Sequence, residues 1–454
     1  MIGMKFWKLP ENARFSNKQL IAFLLPVLFE QLMVAGLGMA DTFMVSSLGE
    51  TAVAGVALVN RIDNFAKQFL VALGQGGSVV LSQYIGAENK ESAQGALKNN
   101  IRIVVAIGLV IMSIMVFFKY QVLNLLFGGA DPEVLAISGS YITVTAFAYP
   151  FIALYYSCSS SFRAMGESKM PFAASVVMMS INLVLKYLFI YQMDMGVTGA
   201  AFSTLLAMAS VGIGMMVMLK SGKRKVQLQG ILKFDFDRKM AKRILGISLP
   251  NGIEQGMFQL GALAIAGLVS GLGTTAIAAD SLARSVSPLL HSVGAAFSAV
   301  MIMVVGQCMG AGKPEEAKMY VKHILKMDYV MTFADAVVFM MVLRPVMSVF
   351  GVSAEAQELA VWIMIVYSIG SIFAYPTSFA VAAALRGAGD TKFVMVVASA
   401  SMFLFRIGAA YIFVYVFHLG VIGTWFAMVS DWVIRSTVFL LRYRSGKWKK
   451  NRVI

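Results

Sequence analysis

Glu30 and Asp41 stand eleven residues apart inside one apolar run. At 100° per residue they fall about 20° from alignment on one helix face and roughly 16 Å apart along its axis. Ionisable groups in a bilayer core cost at least about 2.5 to 3.5 kcal/mol, so carboxylates in such a run face a cavity or a counter-charge and suit the binding of a cation or proton. Pro26, Gly36 and Gly38 give this helix points at which to bend or loosen. Glu254 follows Pro250 at the spacing at which Glu30 follows Pro26. The two glutamates are therefore expected to meet across a symmetry axis and to share a cation or proton, with pairing to a structural partner as the alternative.

A second group of polar residues lies on the next apolar run. Asn60, Asn64 and Lys67 share a helix face and read as cavity lining, with Asp63 set aside as a partner for Lys67 four residues on. Arg284 and His291 stand at the repeat positions of Asn60 and Lys67, and His291 titrates near neutral pH unless packing claims it. Asn182 and Lys186 are one turn apart on a later helix, and Arg406 stands at the repeat position of Asn182. A mid-helix lysine needs a counter-charge, for which Asp41 is the candidate; snorkelling to a headgroup is the alternative. Gln31, Gln255, Met257 and Tyr149 complete the expected substrate cavity, where soft and aromatic side chains suit varied ligands. Asp335, Asp431 and Arg435 read as structural, and His323 and His418 as loop or interface residues.

These groups need a frame that holds them inside a membrane. The chain has 454 residues, 59% hydrophobic and 13% charged, too apolar for a soluble domain. About 20 apolar residues cross a hydrocarbon core, and twelve such stretches begin near residues 18, 53, 97, 133, 170, 196, 242, 276, 321, 355, 392 and 420. Their length and lack of period-two alternation predict helices, hence an all-α polytopic membrane protein. Most Lys and Arg fall in the N-terminal tail, between Lys220 and Arg243, after Arg442, and in the loops after even-numbered helices. The opposite loops hold Lys119 and Arg344, so both termini are expected in the cytoplasm, with the plasma membrane as location. The net charge of +15 is accounted for by this asymmetry rather than by nucleic acid.

Sliding the chain by 224 residues aligns Pro26 with Pro250, Glu30-Gln31 with Glu254-Gln255, Leu48-Gly49 with Leu272-Gly273, Gln83 with Gln307 and Gly86-Ala87 with Gly310-Ala311. The shift drops to 223 for Arg163-Ala-Met-Gly-Glu-Ser-Lys169 against Arg386-Gly-Ala-Gly-Asp-Thr-Lys392, then returns to 224 for Gly196 against Gly420. Six helices return the chain to its starting side. The two repeats are thus predicted to be related by a pseudo-two-fold axis along the membrane normal, the architecture of a secondary transporter. The expected divisions are a tail (1–17), an N-terminal lobe (18–219), a basic linker (220–241), a C-terminal lobe (242–442) and a basic tail (443–454).

Enzymatic readings find no support in His-Glu-x-x-His, Gly-x-Ser-x-Gly or a phosphate-cradling glycine loop, and Cys158 and Cys308 stand alone in apolar surroundings as buried thiols. No metal and no cofactor are expected, and the partners are a small-molecule substrate and the lipid bilayer, with the chain a monomer.

Asp41-Thr-Phe-Met-Val-Ser-Ser-Leu-Gly49, the turns Gly86-Ala-Glu and Gly310-Ala-Gly, and Arg386-Gly-Ala-Gly-Asp-Thr-Lys392 resemble motifs of the multidrug and toxic compound extrusion (MATE) family. The resemblance covers nearly the whole chain. It implies extrusion of organic cations and other amphipathic compounds driven by protons or sodium ions, with Asp41 as a coupling residue and Glu254 on a helix where many members hold a coupling carboxylate. Where family members often have Asn followed four residues later by Asp, this chain has Asn182 and Lys186. That departure favours protons over sodium. The leading expectation is an ion-coupled antiporter. A flippase for a lipid-linked or anionic metabolite, suited to Lys67, Lys186, Arg284 and Arg406, is the alternative.

Overall fold

The computed structural model describes residues 9–10, 13–221, 224–231, 237–348, 350, 352–451 and 453–454, with the side chains of residues 35, 37–43 and 46 outside the description. The helices in chain order are α1 (Asn17–Ser46), α2 (Glu50–Gly86), α3 (Lys90–Phe117), α4 (Lys119–Phe127), α5 (Pro132–Ala146), α6 (Tyr149–Ala164), α7 (Lys169–Tyr187) and α8 (Gly196–Lys220). The second series is α9 (Arg238–Ser270), α10 (Thr274–Gly310), α11 (Pro314–Ser348), α12 (Ala354–Pro376), α13 (Ala382–Gly387), α14 (Thr391–Ala400), α15 (Gly408–Tyr411) and α16 (Gly420–Arg444). No strand occurs among the described residues. Turns of π-helix at Leu188–Gln192, Thr377–Val381, Ser401–Ile407 and Ile412–Val416 extend or join α7 and α12 to α15.

Each of the twelve expected spans is found as a helix or a run of joined helices. Ten are long and apolar enough to cross a membrane, and α5 with α6, bent by 46°, makes an eleventh. The twelfth, α16, carries Asp431 and Arg435 at its middle and is not among them.

The chain forms two compact units, Phe29–Gly252 and Met1–Leu28 with Ile253–Ile454. These differ from the lobes drawn from sequence. Each opening helix is divided two residues after its proline, at Leu28 following Pro26 and at Gly252 following Pro250. Proline removes one backbone hydrogen bond of the helix, and at that point the chain passes from one unit to the other. The first half of α1 shows why it belongs with the second repeat. Leu20, Phe23, Leu24 and Val27 form a single apolar stripe at helical spacing and bury in a core with Phe297 and Val300 of α10 and Tyr320 and Ile324 of α11. Phe15 and Arg14 extend the seam through hydrogen bonds of their backbone N–H groups to Tyr320 Oη (2.6 Å) and Glu316 Oε1 (2.9 Å).

The first half of α9 is seated in the other unit. Ser248 donates to the carbonyl of Leu73 at 2.9 Å, and α2 meets it through Gly76, where a Cβ would stand 2.4 Å from Ser248 Cα. The linker is fastened to the same unit: Arg102 donates to the carbonyls of Gly230 and Ile231, and Arg224 pairs with Glu167 at 2.5 Å. Turn geometry repeats at Gly49 and Gly273, with φ of 95° and 96°, a conformation that side chains with a Cβ rarely adopt.

Gly76→Val is expected to force α2 away from the first half of α9 and to destabilise the protein by about 1–3 kcal/mol. Gly267→Ala, with nothing within 4 Å of its Cβ, is expected to be neutral. Thermal midpoints in detergent measure both, and equal midpoints for Gly76→Val and wild type would refute the close approach.

Candidate functional site

Glu30 and Glu254 are both nearly inaccessible, at 2% and 1% exposed. Each has its counter-charge within its own unit. Arg163 Nη2 donates to Glu30 Oε1 at 2.5 Å, and Arg386 Nη2 donates to Glu254 Oε1 at 2.5 Å. The arginines sit in the last turns of α6 and α13 and open the two matching seven-residue motifs. This is the structural pairing left open by the sequence. Its signal was there to be found: both members of the pair are duplicated at the repeat spacing. The second oxygen of each carboxylate, Oε2, is buried without a hydrogen bond among the described residues.

The polar groups of the first repeat gather elsewhere, around a cavity of about 350 Å³ in the unit Phe29–Gly252. From α2 come Val53, Val56, Asn60, Asp63, Asn64 and Lys67, a stripe of three- and four-residue steps that keeps one face turned to the cavity. Tyr141 and Thr145 of α5, Tyr149 of α6, Lys186 of α7 and Thr204 of α8 close it. Tyr149 donates its hydroxyl to Asp63 Oδ1 at 2.5 Å, a short charge-assisted bond. Thr145 and Lys67 act on the same carboxylate. Asp63, set aside in the sequence as a partner for Lys67, is thus the carboxylate that lines this cavity among the described residues. Tyr149 is 86 residues away, and nothing local announces their meeting.

Asn182 donates to Thr204 Oγ1 at 3.1 Å, and Thr204 in turn donates to the carbonyl of Ala200 at 3.3 Å. The Asn182 Oδ1 atom is buried with no hydrogen bond among the described residues. Lys186, one turn on, is 2% exposed and lines the cavity. The Asp41 side chain, its expected partner, lies outside the described residues, as does that of Met39.

Arg284 and His291 belong to the other unit, on α10. Arg284 pairs with Asp280 Oδ2 at 2.6 Å one turn back, and Asp280 Oδ1 accepts from the indole of Trp425 at 2.9 Å. His291 meets the hydroxyl of Tyr367 at 3.1 Å and lies edge-on to Tyr375 and Phe379. Gln31, Gln255 and Met257 are half-buried on α1 and α9 and do not line the cavity. Of the expected cavity residues, the structure brings together Asn60, Asn64, Lys67 and Tyr149, and adds Lys186, Asp63, Tyr141, Thr145 and Thr204.

The MatE family model matches residues 26–188 and again 250–412, the same interval twice at the 224-residue spacing and together well over half the chain. A probable multidrug resistance protein NorM of Thermotoga maritima is 25% identical over 96% of this chain and 94% of its own length. A probable multidrug resistance protein YoeA of Bacillus subtilis is 21% identical over 89% of this chain and 88% of its own. Among solved structures, an outward-facing multidrug resistance MATE family transporter of the MOP superfamily superposes with a TM-score of 0.89 at 22% identity, covering 95% of this chain and 96% of that one. With the fold matched throughout and the family model found in both repeats, this chain belongs to the MatE family of multi-pass membrane transporters.

Proposed function

We propose that this chain is a secondary antiporter that exports amphipathic small molecules in exchange for protons, by alternating access of its two halves. The observation that supports it best is the cavity of the first repeat, where a carboxylate hydrogen-bonded to a phenol, two amides and two lysines share one wall system. Such a site offers both a proton-carrying group and polar contacts for a ligand. Lys186 speaks for protons over sodium, because a lysine side chain brings no acceptor oxygen to a sodium site. The ion-coupling set is Asp41, Asn182 and Lys186, and Asp63 joins it. Glu30 and Glu254 stay in the set only through their unbonded Oε2 atoms, since their other oxygens hold arginines. In this reading the chain works as a monomer in the plasma membrane with both termini in the cytoplasm and needs no cofactor.

The second reading, a flippase for a lipid-linked or anionic metabolite, draws on Lys67 and Lys186 in the same cavity. Arg284 and Arg406, the other two cations it uses, are in the other unit. Glu30, in the same unit as the cavity, does not line it.

Asp41→Asn is expected to abolish efflux driven by an imposed pH gradient in proteoliposomes while leaving insertion intact; undiminished efflux removes Asp41 from coupling. Lys186→Asp is expected to convert a pH-driven antiporter into one that responds to a sodium gradient, and an unaltered ion dependence counts against the lysine as the determinant. Glu30→Gln and Arg163→Gln are each expected to destabilise the protein by about 3–5 kcal/mol, with the double variant recovering part of the loss. If Glu30→Gln instead melts like wild type and loses only ion coupling, the carboxylate is a coupling group and not an anchor.

A further inference from the structure

We propose that the unit containing the second repeat holds an anion-binding site, in which Arg406 and Arg435 take the carboxylate or phosphate group of an amphipathic ligand; this names one chemical group of the cargo and rests on the transporter reading.

The site is built on α16, which places Asp431 and Arg435 one turn apart at its middle, 0% and 1% exposed. Three rings, Phe258, Phe379 and Phe439, surround the Arg435 guanidinium at 5.0 to 5.8 Å. Arg435 Nη1 stands 3.8 Å from Asp431 Oδ2, beyond a hydrogen bond. Neither Nη1 nor Nε of Arg435 has a hydrogen-bond partner among the described residues, and Asp431 Oδ2 has none either. The other oxygen of Asp431 accepts from the Ser401 hydroxyl. Five residues after Ser401, in the same π-turn, Arg406 has a buried Nε with no partner, and among the described residues it makes no ion pair. Asp431 and Arg435 both act on it electrostatically.

One carboxylate therefore serves two guanidiniums. The remaining carboxylates of the unit's interior do not make up the difference. Glu254 also acts on Arg435, but it is paired with Arg386, whose own charge opposes that help, and Asp280 is taken by Arg284. Asp328, which accepts from Thr332, and Asp335, both on α11, act on Tyr375 and Tyr367 and form no ion pair among the described residues. His291 is held by Tyr367. A guanidinium in a medium of low dielectric without a full counter-charge is costly, and the deficit is one negative charge with acceptor oxygens. A carboxylate or phosphate supplies both, and it is the group that an arginine fork binds most strongly.

The backbone makes the same point independently. The π-turns Thr377–Val381 and Ser401–Ile407 both pack against α16, and they carry Phe379, Ser401 and Arg406. Their counterparts in the first repeat lie within α6 and α7, which are plain α-helix there. π-turns within α-helices concentrate at functional sites. The repeat mates of Arg406, Asp431 and Arg435 are Asn182, Ala207 and Val211, so at these positions the charges and the irregular backbone both belong to the second repeat.

Purified protein in phosphatidylcholine nanodiscs, titrated with dansylglycine and with its methyl ester, tests the site by fluorescence. The carboxylate is expected to bind about tenfold tighter than the ester. Arg406→Gln is expected to lower carboxylate affinity to the level of the ester and to leave ester affinity unchanged, and Arg406→Lys to fall between. Equal affinities in the wild type overturn the proposal without need of any variant, and so does an undiminished carboxylate preference in Arg406→Gln. Nanodiscs containing phosphatidylglycerol identify the source of the anion. Competition with dansylglycine in the wild type, absent in Arg406→Gln, assigns the site to a lipid headgroup, and no competition assigns it to a soluble ligand; both results uphold the site. The assay reads binding without transport, so its failure leaves the antiporter reading standing, and failure of ion-driven efflux leaves this site standing.

Discussion

An ionised side chain inside a membrane-spanning bundle must be matched, and this fold meets that demand first with one pair used twice. Glu30 with Arg163 and Glu254 with Arg386 each have a buried carboxylate and a half-buried arginine at 2.5 Å, and each joins the helix that opens a repeat to the end of the helix before its glycine turn. Glu30 and Glu254 lie just beyond the prolines, in the stretch where each opening helix has passed into its second unit. The pair thus fastens the incoming half-helix to its new neighbours. The matching motifs that begin at Arg163 and Arg386 then serve two ends, an anchor at the first residue and a reversal at Gly166 and Gly389, whose φ values are 82° and 93°. Removing either partner would strand a charge, a larger cost than the loss of an ordinary packing contact.

With the anchor fixed, the other charged positions are free to diverge, and they do so in sets. The first repeat holds Asp63, Lys67, Asn182 and Lys186, where the second has Ser287, His291, Arg406 and Ala410. The second repeat holds Asp431 and Arg435, where the first has Ala207 and Val211. A charge gained on one helix is accompanied by a charge gained on its neighbour: Arg406 follows Ser401, whose hydroxyl holds Asp431. The same rule of matching operates locally in each unit with different residues. One scaffold therefore carries a mixed cavity of acid, amide and amine in one unit and an arginine and aromatic cluster in the other.

What could be read from the sequence was what is encoded over short distances. Twelve apolar stretches are local patterns and the repeat is a self-match of such patterns; ten of the expected starts fall within four residues of an observed helix start, while α3 and α11 begin seven residues earlier than expected. The face formed by Asn60, Asn64 and Lys67 is a matter of helical period and is found lining one cavity. Partners across helices were missed. Symmetry suggested that Glu30 and Glu254 answer each other, yet each answers an arginine about 130 residues away. Asp63 was assigned to the nearest lysine, which does act on it, but its hydrogen bond from Tyr149 of another helix was not foreseen. The exchange of half-helices between units escaped for the same reason, because the stripe Leu20, Phe23, Leu24 and Val27 says that a face is buried but not against what.

The one-residue irregularity of the repeat has a structural meaning. Between the seven-residue motifs and Gly196 or Gly420 the second repeat is one residue longer, since the shift passes from 223 to 224. One extra residue in an α-helix turns everything beyond it by about 100°, which would take the following side chains off their faces. A π-turn absorbs an inserted residue within a single wide turn, and Ser401–Ile407 lies inside this interval while α7 has no such turn between Lys169 and Tyr187. Downstream the register is restored: the π-turns Leu188–Gln192 and Ile412–Val416, and the positive-φ pairs Asp194 with His418 and Gly196 with Gly420, all match at 224. The insertion is thus confined to the turn that carries Ser401 and Arg406. One wide turn thus carries Ser401 and Arg406 against α16 while the frame that both repeats share keeps its register.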